Sequence, residues 1–163
     1  MALRRVDTHV FPEHRAAVSA DWLERVASAA LDVVDPGGGA GVSVVVADDA
    51  TLRELNRRFR GLDEVTDVLS FGARGEGEEA PDGPTFPAAP GEESIGEVVA
   101  SLPQAERQAR ERGAPAEHEL ALLVVHGVLH LWGYEHGTPE ETEAMQAVER
   151  TVLAALFGAE ARA

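Results

Sequence analysis

The chain contains no cysteine and no lysine. The first absence excludes disulfides and thiolate metal sites, and leaves the redox compartment open. The second means that all 14 basic residues are arginine, set against 29 acidic residues for a net charge of −15. Such an acidic body repels nucleic acid over the roughly 8–10 Å that salt screening permits, which excludes a general nucleic-acid binder working through charge alone. No apolar run is long enough to span a bilayer, and the opening MALRRVDTHVFPEHRA lacks the apolar centre of a signal peptide, so the expected location is cytoplasmic with no membrane contact. Aromatic residues make up only 5% of the chain, so its 44% hydrophobic content is aliphatic and small. At 163 residues a single domain over 1–163 with a real core is expected.

The local patterns predict alternating strands and helices. An extended segment is expected around 3–11, then a helix over 19–34 with Trp22, Val26, Ala29, Ala30 and Val33 on its apolar side. DPGGG at 35–39 ends that helix, and the β-branched GVSVVVA at 41–47 reads as a buried strand. Asp48 or Asp49 caps the next helix, whose stripe is Leu52, Leu55 and Phe59. TDVLSF at 66–71 and IGEVVAS at 95–101 are further strands, the latter parallel or antiparallel to its neighbour. Between them, 72–94 turns to Gly, Glu, Pro and Ala, with six acids in 76–93, and reads as a flexible or functional loop. A polar helix from Pro103 to Arg112 precedes an apolar one over 116–132. TPEE at 138–141 is a capping box with proline at the first helical position, opening a last helix through Met145, Val148, Val152 and Leu156.

Half of the six histidines fall in HGVLHLWGYEH, residues 126–136. Helix positions four apart share a face, so His126 and His130 can present two imidazoles to one ion. Gly133 can adopt the left-handed conformation that ends a helix and returns the chain, bringing His136 to the same place. The spacing is that of the HExxHxxGxxH zinc peptidases, except that Gly127 stands where they carry the glutamate base. The bland alternative is two core histidines and a third on a turn. An apolar helix favours neutral imidazoles, and neutral imidazoles are ligands. Three histidines with no obvious fourth ligand describe an open, catalytic site rather than a closed structural one. Zinc is the expected ion, one per chain, with nickel or another divalent metal also compatible with imidazole donors. Glu135 suits a supporting or surface role, His118 a partly exposed one, and His9 and His14 have no partner spacing.

LNRRFR at 55–60, TDVLSF at 66–71, IGEVVAS at 95–101 and the 126–136 run, in that order, resemble the YbeY family of bacterial endoribonucleases. Glu97 and Glu135 replace the family's usual aspartates, Val65 replaces a frequent proline, and the 72–94 loop is longer than expected. The resemblance implies an α/β (α+β-like) fold, a small mixed sheet packed with about five helices around a buried central metal-binding helix. It implies that His126, His130 and His136 hold the metal, and that Arg60, with His126, belongs to the catalytic residues. It implies metal-dependent, single-strand endoribonuclease activity in ribosomal RNA maturation, at the 3′ end of 16S RNA, and in ribosome quality control. The implied partners are ribosomal RNA and the small ribosomal subunit, with no DNA.

Taken without the resemblance, the cluster Arg53, Arg57, Arg58 and Arg60 is a solvated helix face. Glu97 and Asp67 lie on strands that can face the metal helix and are candidate bases, or else plain strand-end carboxylates. Two other classes fit the same residues: a metal-stabilised ribosome-assembly factor with little catalysis, and a zinc hydrolase of another substrate. The missing glutamate at 127 speaks against peptide cleavage.

Overall fold

The computed structural model describes residues 4–72 and 94–158. A Val-rich segment buried at every position, β2 (Gly41–Ala47), lies inside a four-stranded sheet of order β1-β2-β4-β3. Its neighbours β1 (Val6–Val10) and β4 (Ser94–Ser101) run parallel to it, and the edge strand β3 (Val68–Gly72) is antiparallel to β4. The fourth strand element thus has one parallel and one antiparallel neighbour, so the sheet is mixed, as expected. Gly72 and Ser94, placed by sequence in the long loop, pair in these strands; the rest of that loop, 73–93, lies outside the described residues, as does Leu3.

Five α-helices cover the sheet: α1 (Ala20–Val34), α2 (Asp49–Arg60), α3 (Leu102–Arg112), α4 (Ala116–Trp132) and α5 (Pro139–Phe157). Their starts are chemically marked. Ser19, Asp48, Ser101 and Thr138 each accept a backbone N–H of the first turn, which satisfies a donor the helix itself cannot. Asp49 is therefore not the cap of α2; it is the first helical residue, and its carboxylate accepts from Ser101 Oγ and Arg107.

The stripe on α1 is turned from its expected phase. Leu23, Val26, Ala27, Ala30 and Leu31 are buried, whereas Val33 is 36% exposed and Trp22 and Ala29 only half-buried. Apolar residues occupy more than half of this helix's circumference, so the pattern alone admits two adjacent phases.

Strand alternation sorts side chains between two faces. Val42, Val44, Val46, Val98 and Ala100 join the larger core with α1, α4 and α5. Val45, Ala47, Leu69 and Val99 join a smaller one with Leu52 of α2, flanked by Leu55 and Phe71. α4 and α2 thus lie on opposite faces.

Candidate metal centre

Helix α4 is apolar on nearly all sides and buried from Glu119 to Leu129 at most positions, which fixes its rotation firmly. Gly127 is the point of closest approach to the sheet. A Cβ built there would lie 2.6 Å from Val98 Cγ1 and 3.1 Å from Ser70 Oγ, and Ser70 Oγ donates to the Gly127 carbonyl at 3.0 Å. Any side chain at 127 therefore forces a β-branched core residue to shift. A glutamate at 127, as in the peptidases, would have to displace this contact with the sheet.

With Gly127 against the sheet, His126 and His130 fall on another side of α4, half-buried, with ring centroids 4.6 Å apart. Their Nε2 atoms face each other at 3.1 Å. Gly133, at φ +115°, ends the helix: its N–H donates to the Leu129 and His130 carbonyls, and Tyr134 N–H returns to Leu129. The reversal brings the exposed His136 ring to 4.9 Å from His130 and 5.5 Å from His126. The capping box of α5 then pins the segment. Glu141 accepts from the N–H groups of Gly137 and Thr138, Thr138 Oγ1 accepts from Glu141 N–H, and Thr142 Oγ1 donates to the His136 carbonyl.

One ligand atom from each of these histidines falls within 4.8 Å of the others, and among the described residues this is the group able to hold a metal ion. Tetrahedral zinc, with Zn–N near ~2.0–2.1 Å, separates its nitrogen ligands by about 3.3 Å, so the triad is grouped on the scale of one ion. Burial lowers the His130 pKa below the ordinary imidazole value, and the His126 and His136 rings push it the same way, against a smaller opposing pull from Glu135. The neutral, metal-binding form is favoured.

The remaining candidates are placed elsewhere. His118 stacks 3.9 Å from the Phe157 ring, and His9 meets Phe11 edge-on. Glu97 does not face the metal helix. It pairs with Phe71 across the ladder, while its neighbour Val98 carries the α4 contact, so period-two alternation turns Glu97 to the α2 side. Asp67 precedes β3 and accepts from Gln108 of α3. Glu135 is exposed. The carboxylate at the centre is instead Glu149 of α5, whose Oε2 lies 2.7 Å from His126 Nδ1. Sequence reading passed over it, although an acid between Met145 and Val152 in the buried register of an amphipathic helix was a visible signal.

Arg60 ends α2, exposed. Its neighbours in the arginine cluster are engaged: Arg53 pairs with Asp63 at 2.7 Å, Arg57 with Glu54 at 2.6 Å, and Arg58 lies over the Phe59 ring. Arg60 has no such partner among the described residues.

A family profile described as Endoribonuclease YbeY matches residues 10–157. An Endoribonuclease YbeY of Pelotomaculum thermopropionicum is 48% identical over 136 residues, covering 82% of this chain and 84% of its own. That of Moorella thermoacetica is 43% identical over 132 residues, covering 81% and 83%. A Thermotoga maritima protein solved in solution superposes with a TM-score of 0.61 at 26% identity, covering 94% of this chain and 90% of its own. With the histidine cluster, the mixed sheet and this match over nearly its whole described length, the chain belongs to the Endoribonuclease YbeY family.

Proposed function

We propose that this protein is a metal-dependent, single-strand endoribonuclease that matures the 3′ end of small-subunit (16S) ribosomal RNA in the cytoplasm, with the small ribosomal subunit presenting the substrate. The observation that carries the reading is the gathering of His126, His130 and His136 where α4 turns into α5. The names of the relatives supply the RNA substrate class.

The three histidines would hold one divalent ion, zinc by donor chemistry, and three protein donors leave room for water or substrate. The ion supplies Lewis acidity toward a phosphoryl oxygen when bound. Arg60 would grip a phosphate through its planar fork and offset charge that builds as the ester breaks. Its position supports the assignment. Phe59 packs edge-on at 5.4 Å from Phe71, at the end of β3. On the opposite face Leu131 of α4 closes on the same end of the strand, because a Cβ on Gly96 would lie 2.9 Å from Leu131 Cδ2 and 3.1 Å from Gly72 Cα. The metal helix and the Arg60 helix therefore end beside the same stretch of the β3 edge, one on each face. An RNA strand crossing that edge would meet the histidines on one side and the guanidinium on the other. Gly127, where a side chain would meet Val98, leaves the centre without the peptidase glutamate and speaks against peptide chemistry.

The net charge of −15 argues that presentation, not bulk attraction, delivers the RNA. A shallow dependence of binding on salt is expected. The test is to follow the 3′ end of small-subunit precursor RNA, with and without the subunit, using loaded and metal-stripped protein. Cleavage confined to loaded protein supports the reading. A folded, loaded protein that leaves RNA intact in both settings overturns it in favour of an assembly role.

A further inference from the structure

Glu149 is 7% exposed and sits in the register of α5 that otherwise delivers Met145, Val152 and Leu153 to the core. A carboxylate at that depth costs stability unless something accounts for it. Its partner is the Nδ1 of His126 at 2.7 Å. An imidazole has two ring nitrogens, and the neutral ring carries one proton. An ionised carboxylate can only accept, so a hydrogen bond of this length requires the proton on Nδ1. That leaves the lone pair on Nε2, the atom that faces His130 Nε2 at 3.1 Å. The same bond fixes the ring's rotation and ties α5 to α4 at the centre. Among the described residues neither His130 nor His136 has a carboxylate hydrogen-bonded to its ring, and His130 has a backbone partner at Tyr134 instead, so His126 is the one imidazole of the three held by a carboxylate.

We propose that Glu149 is the positioning residue of the centre, which holds His126 as the Nδ1–H tautomer with Nε2 directed at the ion. The role rests on the metal centre proposed above. Carboxylates behind ligand histidines raise ligand basicity and restrict orientation, and their loss typically costs about 10–100-fold in metal affinity. A purely structural Glu149 would behave differently: its replacement would lower the stability of the metal-free fold, because His126 Nδ1–H is left without its acceptor, and would leave the zinc affinity of the folded protein unchanged.

The experiment compares full-length wild type, E149Q, E149L and H130A. Each is stripped and titrated with zinc against a chromophoric chelator, and melted with and without zinc. Long-range proton–nitrogen correlation on the stripped proteins reads the His126 tautomer. Expected for E149L is zinc binding about 10–100-fold weaker, with a somewhat lower melting temperature without metal and a smaller zinc-induced rise. E149Q, whose amide oxygen still accepts from Nδ1–H, should keep the tautomer and recover most of the affinity. A folded E149L that binds zinc within about twofold of wild type, or a wild-type His126 protonated on Nε2, overturns the role of Glu149 while leaving the centre standing. A wild type that, like H130A, takes up no zinc overturns the centre itself.

Discussion

The two faces of the sheet are built to different standards. On one, α1, α4 and α5 bury a continuous aliphatic core, and His126 and His130 stand at its border on a helix locked by Gly127 and Ser70. On the other, α2 covers a small cluster, and its last turn carries arginines into solvent. A metal site needs ligands held to within a fraction of an ångström, and a rigid helix delivers that. A phosphate grip needs reach, and an exposed arginine at a helix end delivers that instead. Substitutions on the two faces should therefore fail in different ways.

The largest effect should come from the first face. His130→Ala removes a proposed ligand, so metal uptake and RNA cleavage should fall together, by more than the roughly 10–100-fold expected for loss of a supporting carboxylate. Metal content by mass spectrometry and a cleavage assay on the same sample check this. Arg60→Ala should separate what His130→Ala joins: cleavage about 100–1,000-fold slower, with zinc affinity and melting temperature unchanged. A drop in metal content in that variant would erase the distinction between the faces.

Gly127→Ala sharpens the comparison by attacking the lock itself. The added methyl meets Val98 at 2.6 Å, so a loss of about 1–3 kcal/mol is expected by urea denaturation. Combining it with Val98→Ala should recover part of that loss, since the two act on one space.

The smallest effect lies away from both sites. Glu119 on α4 is 3% exposed, and burial raises its pKa above the ordinary 4.5, with Arg112 at 3.5 Å opposing. A raised folded-state pKa means the folded protein holds the proton more tightly, so the contribution is present below pH 4.5 and is lost as pH rises through the folded value. Glu119→Gln should therefore gain on wild type in urea midpoint between pH 4 and pH 7. An unchanged difference would show that Arg112 fully offsets the burial.

What could be read from the residues follows the same division. The strands, the capped helix starts and the return of the chain at Gly133 are written in local chemistry, and the histidine spacing is a property of one helix and one turn. The sequence leaves the face of Glu97 open because a strand's alternation tells which residues share a side, not which side meets a given helix. The phase of α1 is not legible either, because alanine and valine surround it. Glu149 was missed because its partner is 23 positions away and becomes visible only when α5 folds back along α4. The reason for Gly127 is equally non-local: nothing in HGVLH names Val98.

In the proposed arrangement a metal centre on one face and a guanidinium on the other act on one RNA strand across the β3 edge. Its most direct test measures zinc content and 3′-end cleavage of small-subunit precursor RNA on the same preparations of wild type, His130→Ala and Arg60→Ala. Expected are zinc and cleavage in wild type, neither in His130→Ala, and zinc without efficient cleavage in Arg60→Ala. Cleavage by His130→Ala at the wild-type rate would contradict it.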